Sequence, residues 1–320
     1  MPPGTSPSPR TALGKDPSPR TPLSIVVCGD INNDVLVKPA GGITRGSDTR
    51  AVIRACPGGA AANQAAWMAH LGAEVAFAGR VGARDADYHR AELARAGVRV
   101  YLATDPEADT GSIVIMVAPD GERTMFTDRA ANLRLRRSDL PAGLLDNAAA
   151  LHLTGYTFCE PPLLEVALWL LDEARSRGLA ISVDPASAAF LARMRPAAFL
   201  RWTEGAAVCF PNRDEAAVLV GEADPVAMAT RLTRYYGIVA VKLGGAGCVL
   251  AVPGESPVRI LAQPAHVRDT TGAGDAFCGA FMSRWLARGA DLQAADLPAV
   301  ARFATQIAAS VVTRFGARPI

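Results

Sequence analysis

Asp269-Thr-Thr-Gly-Ala-Gly-Asp275-Ala-Phe-Cys-Gly-Ala-Phe281 follows a segment of strand character and opens an Ala-rich helix, so the chain passes from sheet to helix through a glycine turn. Such a turn exposes successive backbone N–H groups. Free amides at a helix N-terminus, backed by the helix dipole, attract an anion. Asp275 falls in the first helical turn, where the positive end of the dipole is expected to keep a carboxylate ionised. An anion cradle beside a carboxylate suits phosphoryl transfer, which needs charge neutralisation and one group to take the proton from an attacking hydroxyl. Read alone, the same residues also describe a capping Asp in a Gly-rich turn.

Outward from this stretch the chain alternates. Leu23–Cys28, Val75–Ala78, Ala149–Leu153, Leu179–Val183, Ala206–Phe210 and Val239–Leu243 are short apolar runs, the pattern of strands buried on both faces. Between them Pro162–Arg177, Asp214–Val220 and Val226–Tyr236 carry helical apolar spacing. The alternation predicts a three-layer α/β/α domain with a mostly parallel sheet, whose ligands sit beyond the carboxyl ends of the strands. Residues 34–56 and 98–129 break the pattern and read as β-rich, the second with Pro119-Asp-Gly121 as a hairpin turn. They predict a small sheet that forms a lid. Residues 1–22 hold seven of the 23 prolines and repeat Pro-Ser-Pro-Arg-Thr at 7–11 and 17–21, which reads as a disordered tail before a domain spanning 23–320.

Composition removes several classes of function. With 33 Lys+Arg against 31 Asp+Glu the net charge is only +2, which gives no electrostatic case for nucleic acid or an anionic membrane. The longest apolar stretches, such as Phe303–Thr313, are shorter than the ~20 residues of a spanning helix. Six scattered cysteines suggest reduced thiols in a cytoplasmic protein, and the four histidines lack metal-ligand spacing. There is no Walker phosphate loop, and no Gly-x-Gly-x-x-Gly opens a helix after the first strand.

A second motif, Pro57-Gly-Gly-Ala-Ala-Ala-Asn63-Gln-Ala-Ala-Trp-Met-Ala-His-Leu71-Gly72, joins a glycine pair to a helix with small residues on one face. An Ala-rich helix of this kind carries Asn63 and Gln64 either for a use or as a solvent-facing pair. Together the two motifs, in this order and about two hundred residues apart, resemble the two signatures of the ribokinase-like (phosphofructokinase-B) sugar kinases. The resemblance covers 23–320. It implies that Asp275 is the catalytic base and that the amides of Gly272, Ala273 and Gly274 form the anion hole. It also implies that Asn32 and Asp34, in Gly29-Asp-Ile-Asn32-Asn-Asp34, hold sugar hydroxyls with Gly58, Gly59 and Asn63. On the nucleotide side Asn212 and Glu215 match an Asn-x-x-Glu element in which Glu215 acts on magnesium through water. Those two residues also read as an N-capped helix with an acidic first turn. Lys242 with Gly244, Gly245 and Gly247 resembles the turn that approaches the ATP phosphates. Asp269, Thr271, Val311, Arg314 and Gly316 resemble the segments that enclose a monovalent cation, potassium, in many relatives.

The implied activity is ATP- and Mg2+-dependent phosphorylation of a hydroxymethyl oxygen on a small sugar, ribose-like or related. A nucleoside, a keto-sugar acid or a sugar phosphate are the alternative acceptors. Arg129, within Thr127–Asn132, is the candidate for a substrate carboxylate or phosphate, and it could equally pair with Asp128 or face solvent. A catalytically silent kinase-fold binding protein is the rival from another class. By analogy with relatives, the lid doubles as a homodimer surface.

Overall fold

The computed structural model describes residues 24–118, 123–290 and 296–319. The expected tail, Leu23 and the Pro119–Gly121 turn therefore lie outside the described residues. Strand β1 (Ser24–Cys28) pairs in parallel with β4 (Glu74–Gly82) on one side and β8 (Ala150–Thr154) on the other. Parallel pairing continues through β9 (Ala180–Asp184), β10 (Val208–Cys209) and β11 (Ile238–Lys242). It also adds β5 (Arg99–Asp105) beyond β4. Two antiparallel strands, β12 (Cys248–Ala251) and β13 (Val258–Ile260), complete nine strands in the order β13-β12-β11-β10-β9-β8-β1-β4-β5.

Side chains of β1 alternate between two cores. Ile25 and Val27 pack with helices α1 (Ala60–His70), α2 (Ala86–Arg95), α8 (Ala273–Ala287) and α9 (Leu297–Val311). Val26 and Cys28 pack on the other face with α3 (Pro161–Ser176), α4 (Ala188–Met194), α5 (Pro196–Thr203), α6 (Arg213–Val220) and α7 (Pro225–Leu232). Burial on both faces explains why these strands read as continuous apolar runs.

A separate four-stranded sheet runs β3-β2-β6-β7, from Ala51–Gly58, Asn32–Pro39, Gly111–Val117 and Arg123–Asp128. It confines the β-rich insertion more tightly than the sequence suggested. Arg99–Asp105 belongs to the large sheet, because its register on Ala76–Gly82 extends the parallel layer by one edge strand. Pairing of Asp34 with Ile113, and of Ile115 with Met125, puts these residues on the sheet face that lines the central cavity. The opposite face leaves Ile53, Val114 and Phe126 exposed. Among the described residues no helix is long and apolar enough to cross a membrane.

Candidate active site

Two helix N-termini meet at the centre of the molecule. Helix α1 presents buried Ala61, Ala62, Ala65 and Ala66, small enough for a close neighbour. Helix α8 answers with Gly279, where an added Cβ would lie 2.4 Å from Trp67 Cβ and 3.1 Å from the Gln64 carbonyl. This contact brings the two first turns side by side. Asn63 Nδ2 donates to Asp275 Oδ2 at 3.0 Å, and Gln64 Nε2 donates to Asp275 Oδ1 at 3.0 Å. Asp30, just beyond β1, completes α1 by accepting from the amides of Ala60 (2.8 Å) and Ala61 (3.2 Å), replacing the side-chain cap that Gly59 cannot supply.

Asp275 is part-exposed into a cavity of 780 Å3 that lies at the carboxyl ends of β1, β9 and β11 and under the small sheet. Burial raises its pKa to about 7, against the two amide donors, with Asp184 pushing the same way and Lys242 opposing. Burial thus opposes the ionisation that the helix dipole was expected to favour. A carboxyl poised near neutrality suits a general base.

Gly272 caps α8 with φ 77, and a Cβ there would lie 2.4 Å from that of Ala317, so both backbone and space require glycine. Gly272, Ala273 and Gly274 line the cavity, as do Lys242, Gly244, Gly245 and Gly247. The Ala273 amide reaches the Thr270 carbonyl only at 3.4 Å. A Cβ placed on Gly274 would stand 3.7 Å from Lys242 Nζ, so the turn and the ammonium group face one space. Lys242 Nζ lies 2.8 Å from Asp184 Oδ2. Burial pulls the lysine pKa down, but the neighbouring Asp184 carboxylate outweighs it and holds the lysine above its ordinary value. Burial likewise opposes the charge on Asp184, and Lys242 overcomes it, so the pair is ionised.

Asn212 and Glu215 form a reciprocal cap on α6: Asn212 Oδ1 accepts from the Glu215 amide, and Glu215 accepts from the Asn212 amide and Nδ2. Both residues also line the cavity. The capped-helix reading therefore holds. Glu215 has both oxygens engaged, and burial raises its pKa to about 7. A magnesium ion carried on phosphates keeps most of its ligands as water and phosphate oxygen. The two carboxylates that line the cavity here, Asp184 and Glu215, fit that modest demand.

Of the residues expected to hold the acceptor, Asp34, Gly59 and Asn63 line the cavity. Asp34 Oδ1 is buried without a partner, and burial, then Asp30, raises the Asp34 pKa to about 7. Gly58 stands behind it: a Cβ there would overlap the Asp34 carboxyl at 2.1–2.2 Å. Two of the expected acceptor residues have partners within the protein. Asn32 Oδ1 accepts from Asn132 Nδ2 at 2.8 Å, and its own Nδ2 turns to Asp30. Arg129 neither lines the cavity nor pairs with Asp128. Its guanidinium lies 4.8 Å over the Tyr156 ring and donates to the Tyr156 carbonyl.

The cation-loop residues converge too. Asp269 accepts from the amides of Thr271 (2.9 Å) and Gly316 (3.4 Å). Arg314 turns its guanidinium to the Arg318 carbonyl and the Trp67 ring, and the side chain of Val311 is buried in the core. These two residues offer the loop backbone only.

Sequence reasoning passed over Asp30, Asp184, Tyr156 and Arg318. An acidic residue at the carboxyl end of a buried parallel strand was the available signal for Asp30 and Asp184.

A part-exposed carboxyl next to the Gly272–Gly274 turn and a lysine, at the strand ends of a three-layer sheet, fits a phosphotransferase class of site. Residues 23–320 match the family model described as pfkB family carbohydrate kinase. The ribokinase of Bacillus subtilis is 30% identical over 308 residues, covering 92% of this chain and 94% of the relative. The adenosine kinase structure from Sinorhizobium meliloti superposes with a TM-score of 0.83 at 22% identity, covering 94% of this chain and 97% of that one. The fructokinase with bound ATP from Xylella fastidiosa gives 0.76 at 23% identity, with coverage of 92% and 93%. The chain belongs to the pfkB family of carbohydrate kinases and is a phosphotransferase acting on an alcohol group.

Proposed function

We propose that this chain transfers the γ-phosphate of ATP to a hydroxymethyl oxygen of a small, uncharged, ribose-like sugar. The carrying observation is Asp275, held by Asn63 and Gln64 at 3.0 Å each, with a pKa near 7 and the Gly272–Gly274 turn beside it. The sugar lies against Asp34, Gly59 and Asn63, where the unpartnered Asp34 oxygen accepts from a sugar hydroxyl. ATP runs across Asn212, Lys242 and the Gly244–Gly247 turn, its adenine among Ala308, Ala309 and Val312. Asp275 takes the hydroxyl proton while the turn amides and Lys242 hold charge on the phosphoryl oxygens. Magnesium, near Glu215 and Asp184, supplies further neutralisation of phosphate charge when bound. Ile113, Ile115 and Met125 roof the site and exclude water as the small sheet closes.

An uncharged acceptor is favoured because the Arg129 guanidinium, the expected anchor for a carboxylate or phosphate, lies over the Tyr156 ring and donates to the Tyr156 carbonyl, although its Nε keeps no partner. The domain extends over 23–320, with the small sheet as its lid. The Asp269 and Gly316 loops hold a potassium ion, and the exposed apolar face of the lid pairs two copies. Six thiols without disulfides suit the reducing cytoplasm. The test is ADP release across pentoses, hexoses, keto-acids, sugar phosphates and nucleosides. Pentoses or hexoses turn over, and Asp275→Asn lowers turnover by about 10²–10⁴-fold with ATP affinity little changed. An inactive panel favours the silent scaffold, and near-normal turnover of the variant refutes the base.

A further inference from the structure

The amide of Asn63 can bind Asp275 in only one of its two orientations, and something must select it. The C-terminal segment supplies a selector. Ala317 packs against Gly272 and its carbonyl accepts from Trp67 Nε1 at 2.7 Å, which pins the segment to α1 and to the cap of α8. Arg318, 8% exposed, follows directly. Its Nε donates to Asn63 Oδ1 at 3.1 Å, and a terminal nitrogen donates to the Gly58 carbonyl at 2.9 Å.

A guanidinium has donors and no acceptor. It therefore holds the Asn63 oxygen toward itself and leaves Nδ2 facing Asp275 Oδ2. The reversed amide would set its NH2 against the guanidinium and its oxygen against the carboxylate, two repulsive contacts. We propose that Arg318 is a positioning residue, which acts on Asp275 through Asn63 by fixing the direction of that amide. The proposal rests on the reading of Asp275 as the base, and it deepens that reading by naming what orders the base. Nothing in the two family-like motifs contains Arg318.

The charged and titratable groups facing Asp275 are Asp184 from β9, Lys242 from β11, Tyr156, and Cys278 on its own helix. None of these is altered by substitution at 318. The hydrogen bond from Asn63 lowers the pKa of Asp275, so releasing the amide moves the titration upward.

The discriminating variants are Arg318→Gln, which can accept as well as donate and loses the selection, and Arg318→Lys, which remains donor-only. The readout is the titration of the Asp275 carboxyl carbon by NMR in full-length protein with labelled aspartate, its resonance assigned by its loss in Asp275→Asn. Arg318→Gln is expected to raise the midpoint by about one pH unit, and Arg318→Lys by less than half of that. In an Asn63→Ala background, Arg318→Gln leaves the midpoint where Asn63→Ala alone puts it. An unmoved midpoint in Arg318→Gln overturns the proposal. So does a shift that persists without Asn63, which would be a direct effect of charge. Should Arg318→Gln not fold, Arg318→Met carries the same expectation. Turnover of Asp275→Asn is read separately: if it stays normal the base assignment fails, while the NMR titration still judges the lock.

Discussion

Replacing Asp275 with Asn should remove a pH dependence of stability that wild type carries. Burial raises the Asp275 pKa from 3.8 to about 7 in the folded chain. Between those values the folded state keeps a proton that the unfolded chain has released, so the contribution of Asp275 is fully favourable below about pH 4 and is lost as pH climbs through 7. A shift of about three units means that Asp275 lowers folding stability by ~1.7 kcal/mol at pH 5, where the folded chain keeps the proton, and by ~4 kcal/mol at pH 8, where it is ionised. Asparagine has no such term. It does present an NH2 group to one of the two amide donors, but that mismatch is the same at every pH and cancels when the two pH values are compared. Because Asp275 is part-exposed into the cavity, water returns part of the effect, and a swing of about 1.5–2.5 kcal/mol is expected. Urea denaturation of both proteins from pH 5 to pH 8 measures it. The stability of Asp275→Asn relative to wild type should grow with pH by that amount. Two curves that run parallel within about 0.5 kcal/mol would refute the claim that this carboxyl resists ionisation.

Lys242→Met leaves Asp184 charged and buried without its partner, which should destabilise the protein by about 3–5 kcal/mol. Adding Asp184→Asn should restore most of the loss in the urea midpoint, and an unrestored midpoint would deny the pairing. If the Asp269 and Gly316 loops form a cation cage, activity in potassium should exceed that in a bulky organic cation, and equal rates would remove the cage. Pairing through Ile53, Val114 and Phe126 predicts a solution mass of twice the chain, reduced to one chain by Phe126→Glu; a wild-type monomer would dismiss it.

The parts of the fold that local pattern encodes could be read directly. Buried parallel strands announce themselves as apolar runs, and the two glycine motifs mark where the chain turns tightly beside the cavity. Arg99–Asp105 was misplaced because an edge strand of the large sheet has the same period as a strand of the small one, and only its register on β4 distinguishes them. Asp184 and Lys242 lie two strands apart in the sheet order β11-β10-β9 and 58 residues apart in sequence, so their pairing is a product of topology. Asn32 and Asp34 looked equivalent on an alternating strand, yet Asn132 donates to one while the other keeps an oxygen without a partner. For Asp275 the sequence displays the helix dipole but not the depth of burial, and burial sets the pKa. Arg318 carries no local signal at all. Its place follows from how the chain end crosses α1 and the cap of α8.

A crystal structure of the protein with a non-hydrolysable ATP analogue and the sugar that it turns over would settle where the accepting hydroxyl sits. The account predicts that hydroxyl within about 2.6–3.2 Å of an Asp275 oxygen, with the terminal phosphate on the Gly272–Gly274 amides. A hydroxyl bound elsewhere, with Asp275 still closed on Asn63 and Gln64 and no phosphate at the turn, would contradict it.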